Sequence, residues 1–261
     1  MIHNRFCLLF FLAILQLSCT KVIDLKFKDS ATTVVIEGSV VDYTDRQIVK
    51  ISKSIPFTDP NFFPAVTGAS VTITDMEGNR KILLEQHPGI YVTTDLQGEA
   101  NKTYVLEVKV GDEIYSAEST MPEPVLLDSI DVVVSDILGK KYNTVEVYYQ
   151  DPPGIPNFYR FKLKINGVLS SSIFVFQDEF NDGKSIRREL RDFDRDMLAE
   201  DDIELVMQSI DKTMYKYWSA LSQNSGVQSS ATPANPPSNI SNGALGYFSA
   251  HTIQVRKFTI R

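Results

Sequence analysis

From residue 32 onward the chain alternates apolar and polar residues with a period of two rather than 3.6. TTVVIEGSVVD (32–42) and QIVKISKSI (47–55) are Val- and Ile-rich stretches of this kind. GASVTITDMEGNRKILLEQ, GIYVTTD and KTYVLEVKVGDEIYSAESTM follow, with Glu77-Gly78-Asn79 and Gly111-Asp112 as hairpin turns. Side chains that alternate from face to face leave each segment one apolar face to bury. Such segments must pair sideways and pack as sheets. The pattern excludes a helical bundle and predicts a mainly β chain, with about seven strands before residue 122.

The second half repeats the pattern. LLDSIDVVVSD (126–136), TVEVYYQ (144–150), FYRFKLKING (158–167), SSSIFVFQDEF (170–180) and DDIELVMQSI (201–210) read as strands. KSIRRELRDFDRDMLAEDD fits either a strand with a polar loop or a short exposed helix. One helix is expected over about 212–224. Asp211 is its N-cap candidate, Met214, Tyr217, Trp218 and Leu221 fall at i, i+3, i+4 and i+7, and Gly226 is placed to stop it. A Pro-Asn-Ser loop (229–243) leads to ALGYFSAHTIQVRKFTI (244–260), read as one long last strand. Its partners should lie far upstream, so the C-terminus should not be separable from the rest. Pro122 and Pro124 suggest a linker, dividing a sandwich at 32–122 from a β-rich domain at 125–261 with one amphipathic helix.

Residues 1–19, MIHNRFCLLFFLAILQLSC, read as an address rather than as part of the fold. Arg5 supplies the positive start, and Phe6 to Leu15 form an apolar run too short to span a bilayer. Ser18 then precedes Cys19, in a pattern that resembles a bacterial lipoprotein signal. The resemblance implies cleavage after residue 18, acylation of Cys19 and a tether at 19–31, where Val22, Ile23, Leu25 and Phe27 could equally start a strand. Two or three acyl chains anchor stably where one does not. Gln16 and Leu17 depart from the Leu and small residues usual at those places. Cys7 leaves with the signal, so the mature chain would hold no disulfide.

Composition narrows the functions. The 26 basic residues stand against 33 acidic ones, which gives no footprint for nucleic acid. Three His and two Cys cannot build the usual zinc frameworks, and no cofactor is implied. Only His87, in a Gln-His-Pro-Gly turn, and His251 follow the signal. With no G-x-S-x-G elbow, an enzyme is not expected. Asp178, Glu179 and Asp182 offer hard oxygen ligands and are weak calcium candidates without the EF-hand spacing. Arg187, Arg188, Arg191 and Arg195 favour a solvated, salt-bridged face there. Phe57, Phe62 and Phe63 share a Pro-rich loop that either plugs the sandwich end or exposes a contact patch. Asp29-Ser30-Ala31 and Asp128-Ser129-Ile130 look like O-glycosylation acceptors, a signal of low specificity.

Gly68-Ala69-Ser70-Val71-Thr72-Ile73 and Gly89-Ile90-Tyr91 resemble immunoglobulin-like and transthyretin-like β-sandwich modules of Bacteroidota surface proteins. The tail is more specific. Tyr217-Trp218-x-x-Leu221, Asn235-Pro236-Pro237-Ser238-Asn239-Ile240-Ser241-Asn242-Gly243 and Ala244-Leu245-Gly246-Tyr247-Phe248 resemble the family labelled domain of unknown function 4249. With Cys19-x-Lys21-Val22-Ile23-Asp24, the resemblance spans nearly the whole mature chain. It implies an outer-membrane lipoprotein encoded beside TonB-dependent receptors, hence a place and a partner but neither an activity nor a substrate. Lys21 partly matches a signal for export to the cell surface, which is favoured over the periplasmic face. A structural or adhesive surface protein is the alternative. Asn235, Pro236, Pro237, Asn239 and Asn242 form a rigid loop that either pins the helix to the last strand or serves recognition.

Overall fold

The strands divide among three sheets, and the C-terminus ties them together. The computed structural model describes residues 32–43, 46–56, 62–137, 139–178, 181–225 and 235–261. Residues 1–31, including Cys19 and Lys21, lie outside the described residues, as do Phe57 and Glu179. Thr32–Arg261 form one compact unit. Its first seven strands are β1 (Val34–Val41), β2 (Gln47–Lys53), β3 (Ser70–Asp75), β4 (Arg80–His87), β5 (Ile90–Thr93), β6 (Thr103–Val110) and β7 (Glu113–Thr120). Then come β8 (Leu127–Ile137), β9 (Lys140–Gln150), β10 (Phe158–Ile165), β11 (Val168–Leu169), β12 (Phe174–Gln177), β13 (Ser185–Leu190) and β14 (Asp202–Ser209). Helix α1 (Lys212–Ser225), β15 (Leu245–His251) and β16 (Gln254–Thr259) complete the described elements.

The charged stretch after residue 184 is therefore a strand and a polar loop. The helix is where its spacing predicts, and Asp211 caps it through Met214 N–H to Oδ1 at 2.8 Å. The last strand is a correction. Residues 244–260 are not one strand but two, broken at Thr252-Ile253, and the two halves enter different sheets.

β15 runs parallel to β1 and ends a sheet of order β15-β1-β2-β5-β4-β3-β6-β7. This sheet is nearly closed, since its end strands face each other. Ala250 N–H donates to Ser119 Oγ on β7 at 2.8 Å. The remaining gap is filled by the Asn-Pro-Pro loop. Asn239 acts as a surrogate strand residue, accepting from Phe248 N–H at 2.9 Å and donating to Phe248 C=O at 2.8 Å. It also donates to Glu118 C=O, while Ser241 exchanges bonds with Ser116 and Asn242 reaches Glu113 at 2.7 Å. Ile36, Val49, Ile51, Leu106, Val108 and Phe248 are buried inside. The sheet of residues 32–122 is thus incomplete without residues 239–251, so the C-terminal segment crosses the boundary expected near 122–125.

In the second half a three-stranded sheet, β13-β9-β8, shares a core with a sheet of order β11-β10-β14-β16, to which β12 adds by pairing β10. β10 shows the period of two plainly. Tyr159, Phe161, Leu163 and Ile165 are buried in this core. Phe158, Arg160, Lys162 and Lys164 lie on the other face, where Phe158 packs on Tyr215 and Arg160 on Trp218 of α1.

Candidate functional site

Two outer strand faces meet at a small polar cavity. On β15 the period of two sends Phe248 and Ala250 into the first core and places Tyr247, Ser249 and His251 on the opposite face. The parallel register sets Glu37, Ser39 and Val41 of β1 beside those three. β10 contributes Arg160 and Lys162, β14 contributes Gln208, and α1 contributes Trp218. These residues, Glu37 apart, together with Ile253 line a cavity of about 130 Å³.

Cross-strand register decides which cations find partners. Lys164 faces Glu204 and binds it at 2.6 Å. Arg160 faces Gln208, and its Nη1 donates to Oε1 at 3.4 Å. Lys162 faces Val206. Among the described residues, no carboxylate lies within ion-pair distance of Arg160 or Lys162. The nearby Glu37 is occupied by Lys50 at 3.5 Å. Arg160 is relieved in another way, because its guanidinium carbon sits 3.3 Å from the Trp218 ring centroid. Tyr217 and Tyr247 pack at 5.1 and 5.0 Å around that indole. Burial draws the Arg160 guanidinium down to about 10 and the Lys162 ammonium down to about 8, the latter helped by Arg160 and Lys164.

The floor is a relay of neutral groups. Because Arg160 donates to Gln208 Oε1, the Gln208 amide nitrogen faces His251 Nε2 at 2.7 Å. That ring nitrogen must accept, so Nδ1 carries the proton and donates to Ser249 Oγ at 2.9 Å. A proton on Nε2 would oppose the amide donor. Burial first, then Lys162 and Arg160, hold the imidazole down at about 3. Ser249 and His251 thus resemble a nucleophile–base pair in distance only, because Nδ1–H donates to Oγ and is not placed to accept its proton.

The acidic residues form a second cluster. Asp151 joins Asp178 and Asp182, with ligand oxygens within 4.8 Å of one another. Sequence reading missed Asp151, and the Asp151-Pro152-Pro153-Gly154 turn ahead of β10 was its only signal. Each carboxylate already has donors. Asp151 accepts from Tyr159 O–H at 2.5 Å and Gly183 N–H at 3.2 Å; Asp182 accepts from Gly154 N–H and Asp178 from Asn157 N–H. These bonds pin the loop after β9 to the loop after β12. Burial, and then Asp178 and Asp182, push the Asp151 carboxyl upward.

The nearby arginines divide between ion pairs and ring stacking. Arg187 pairs with Glu146 at 3.4 Å and also reaches Glu189 at 3.7 Å, but Arg188 lies over Phe176, Arg191 over Tyr142, and Arg195 donates to the Ile165 carbonyl. Phe62 and Phe63 are exposed, at 76% and 53%, so these two do not plug the first sheet. Ser129 is exposed on β8.

The profile of the family described as Domain of unknown function (DUF4249) matches residues 20–257. The chain belongs to this family. No curated protein matches it. Among solved structures it is similar to the two-fibronectin-type-III-domain segment from chicken tenascin. Identity is 14%, covering 68% of this chain and 90% of that one, with a TM-score of 0.22. In this DUF4249 chain, the tail residues that first suggested the family split between two tasks. Asn239 and Phe248 close the first sheet, whereas Trp218 and Tyr247 line the cavity.

Proposed function

We propose that this chain is a lipid-anchored, non-enzymatic accessory protein of the bacterial outer membrane that acts beside a TonB-dependent transporter. The observation that carries the proposal is the apolar run that ends in Ser18-Cys19, followed by the 20–257 family match. A signal of that form supports acylation at Cys19 with residues 20–31 as tether, and the partial export match at Lys21 favours the cell surface. The nearly closed first sheet is read as an immunoglobulin-like or transthyretin-like module whose closure depends on the C-terminal segment. The cavity chemistry supports binding over turnover, because Arg160 and Lys162 line it with no ion-pair partner among the described residues.

A mild-detergent pull-down of the C-terminally tagged full chain, with mass spectrometry of the co-purified proteins, tests this reading. The expected result is a near-stoichiometric TonB-dependent barrel. Recovery of the chain alone, under conditions that hold a known receptor–lipoprotein pair together, contradicts it and favours a structural or adhesive role.

A further inference from the structure

We propose that the cavity between β10, β14, β15 and α1 is a binding site for a small anion, a phosphate- or carboxylate-bearing ligand held by Arg160 and Lys162. This reading is independent of the partner proposed above.

A cation taken out of water without a partner is strongly disfavoured, and folded chains normally pair it or expose it. Lys164, two residues along the same strand face, obeys this rule through Glu204. Lys162 does not: it is half-buried opposite Val206, and no described carboxylate reaches it. Arg160 lies on the same face at i−2, so the two cations converge on one space. Neither its stacking on Trp218 nor its long bond to Gln208 uses the whole guanidinium fork, which suits carboxylate and phosphate.

The walls fit the same ligand. About 130 Å³ accommodates one compact anionic group rather than a drug-sized molecule. Ser39 lines the space, while Gln208, Ser249 and His251 hold one another in fixed orientations. Ser39, Val41, Tyr247 and Ile253 are only half-buried, so solvent reaches the opening. A bound anion would restore the charge balance that the fold leaves unmet at Arg160 and Lys162.

The cavity carries its own reporter, because Trp218 is the single tryptophan of the chain. The full chain in detergent micelles is titrated at neutral pH and constant ionic strength with sodium phosphate, and separately with sodium acetate, while Trp emission is followed. The expected result is a saturable change with at least one of the two anions. Response to phosphate alone assigns phosphate esters as the ligand class, and response to acetate alone assigns carboxylates. Lys162→Gln, which leaves the Arg160–Trp218 stack intact, should weaken the response roughly tenfold or more. Lys216→Gln on the exposed side of α1 should leave it unchanged. A wild-type response that fails to saturate with either anion overturns the proposal without recourse to any variant. So does a Lys162→Gln chain that titrates like the wild type. A chain that binds phosphate but emerges alone from the pull-down keeps the site and loses the transporter partner.

Discussion

The Arg160 guanidinium lies over the Trp218 ring, 3.3 Å from its centroid, and joins a strand of the second half to the only helix among the described elements. Trp218 in turn packs on Tyr247 of β15, which belongs to the first sheet. One stacked pair thus sits where both halves meet, and the cavity beside it borrows residues from β1, β10, β14, β15 and α1.

Lys162 gives a stability prediction with a defined sign. Its folded pKa is lowered to about 8 from an ordinary 10.5, so above pH 8 the unfolded chain holds more protons than the folded one. Stability should therefore rise as pH goes from about 8 toward 10. Lys162→Met should abolish that rise, and at neutral pH it should stabilise by on the order of 1 kcal/mol, since it removes an unpaired cation. Urea unfolding across this pH range checks both statements. A clear loss of stability in Lys162→Met would mean that the ammonium has a partner in the fold.

His251 predicts the opposite limb. Its pKa is held near 3 against an ordinary 6.5, so the unfolded chain gains a proton first as pH falls. Stability from this group is complete above 6.5 and declines below it. Between pH 6.5 and about 5, where ordinary carboxylates stay ionised, His251→Gln should flatten the decline. Parallel urea midpoints for the two chains measure it.

Gly246 tests the crossing of β15. Its φ is +96°, and a Cβ there would lie 2.0 Å from the Ile36 carbonyl oxygen, in the strand it pairs with. Gly246→Ala should cost roughly 3 kcal/mol or more, because backbone cannot give way as a side chain could. Because the closing strand carries Phe248 into the first core, thermal unfolding should show both halves losing stability together.

Tyr159 tests the acidic loops. Its hydroxyl satisfies the fully buried Asp151. Tyr159→Phe should destabilise by about 1–3 kcal/mol by leaving a buried acceptor short of a donor. Chemical denaturation of the variant provides the comparison.

Local patterns made the elements legible. The Val- and Ile-rich alternation placed the strands, and the Asp211 cap with Met214 and Trp218 placed the helix, because both depend on neighbours in sequence. What the patterns could not show is pairing across distance. Nothing near Leu245 says that its strand will run parallel to β1 while Gln254 onward joins β14, so the break at Thr252-Ile253 has no local signal. The cavity was hidden for the same reason. Arg160 and Lys162 are ordinary alternating residues until register sets Gln208 and Val206 opposite them. Asp151 likewise joins Asp178 and Asp182 only when two loops fold together.

The proposed role depends first on Cys19. The most direct test is the mass of the N-terminal peptide from the chain purified out of its native membranes. The expected result is a mature chain that begins at Cys19 and carries two or three acyl chains on that residue. A chain that retains residues 1–18, or one that begins beyond Cys19 without lipid, would contradict it.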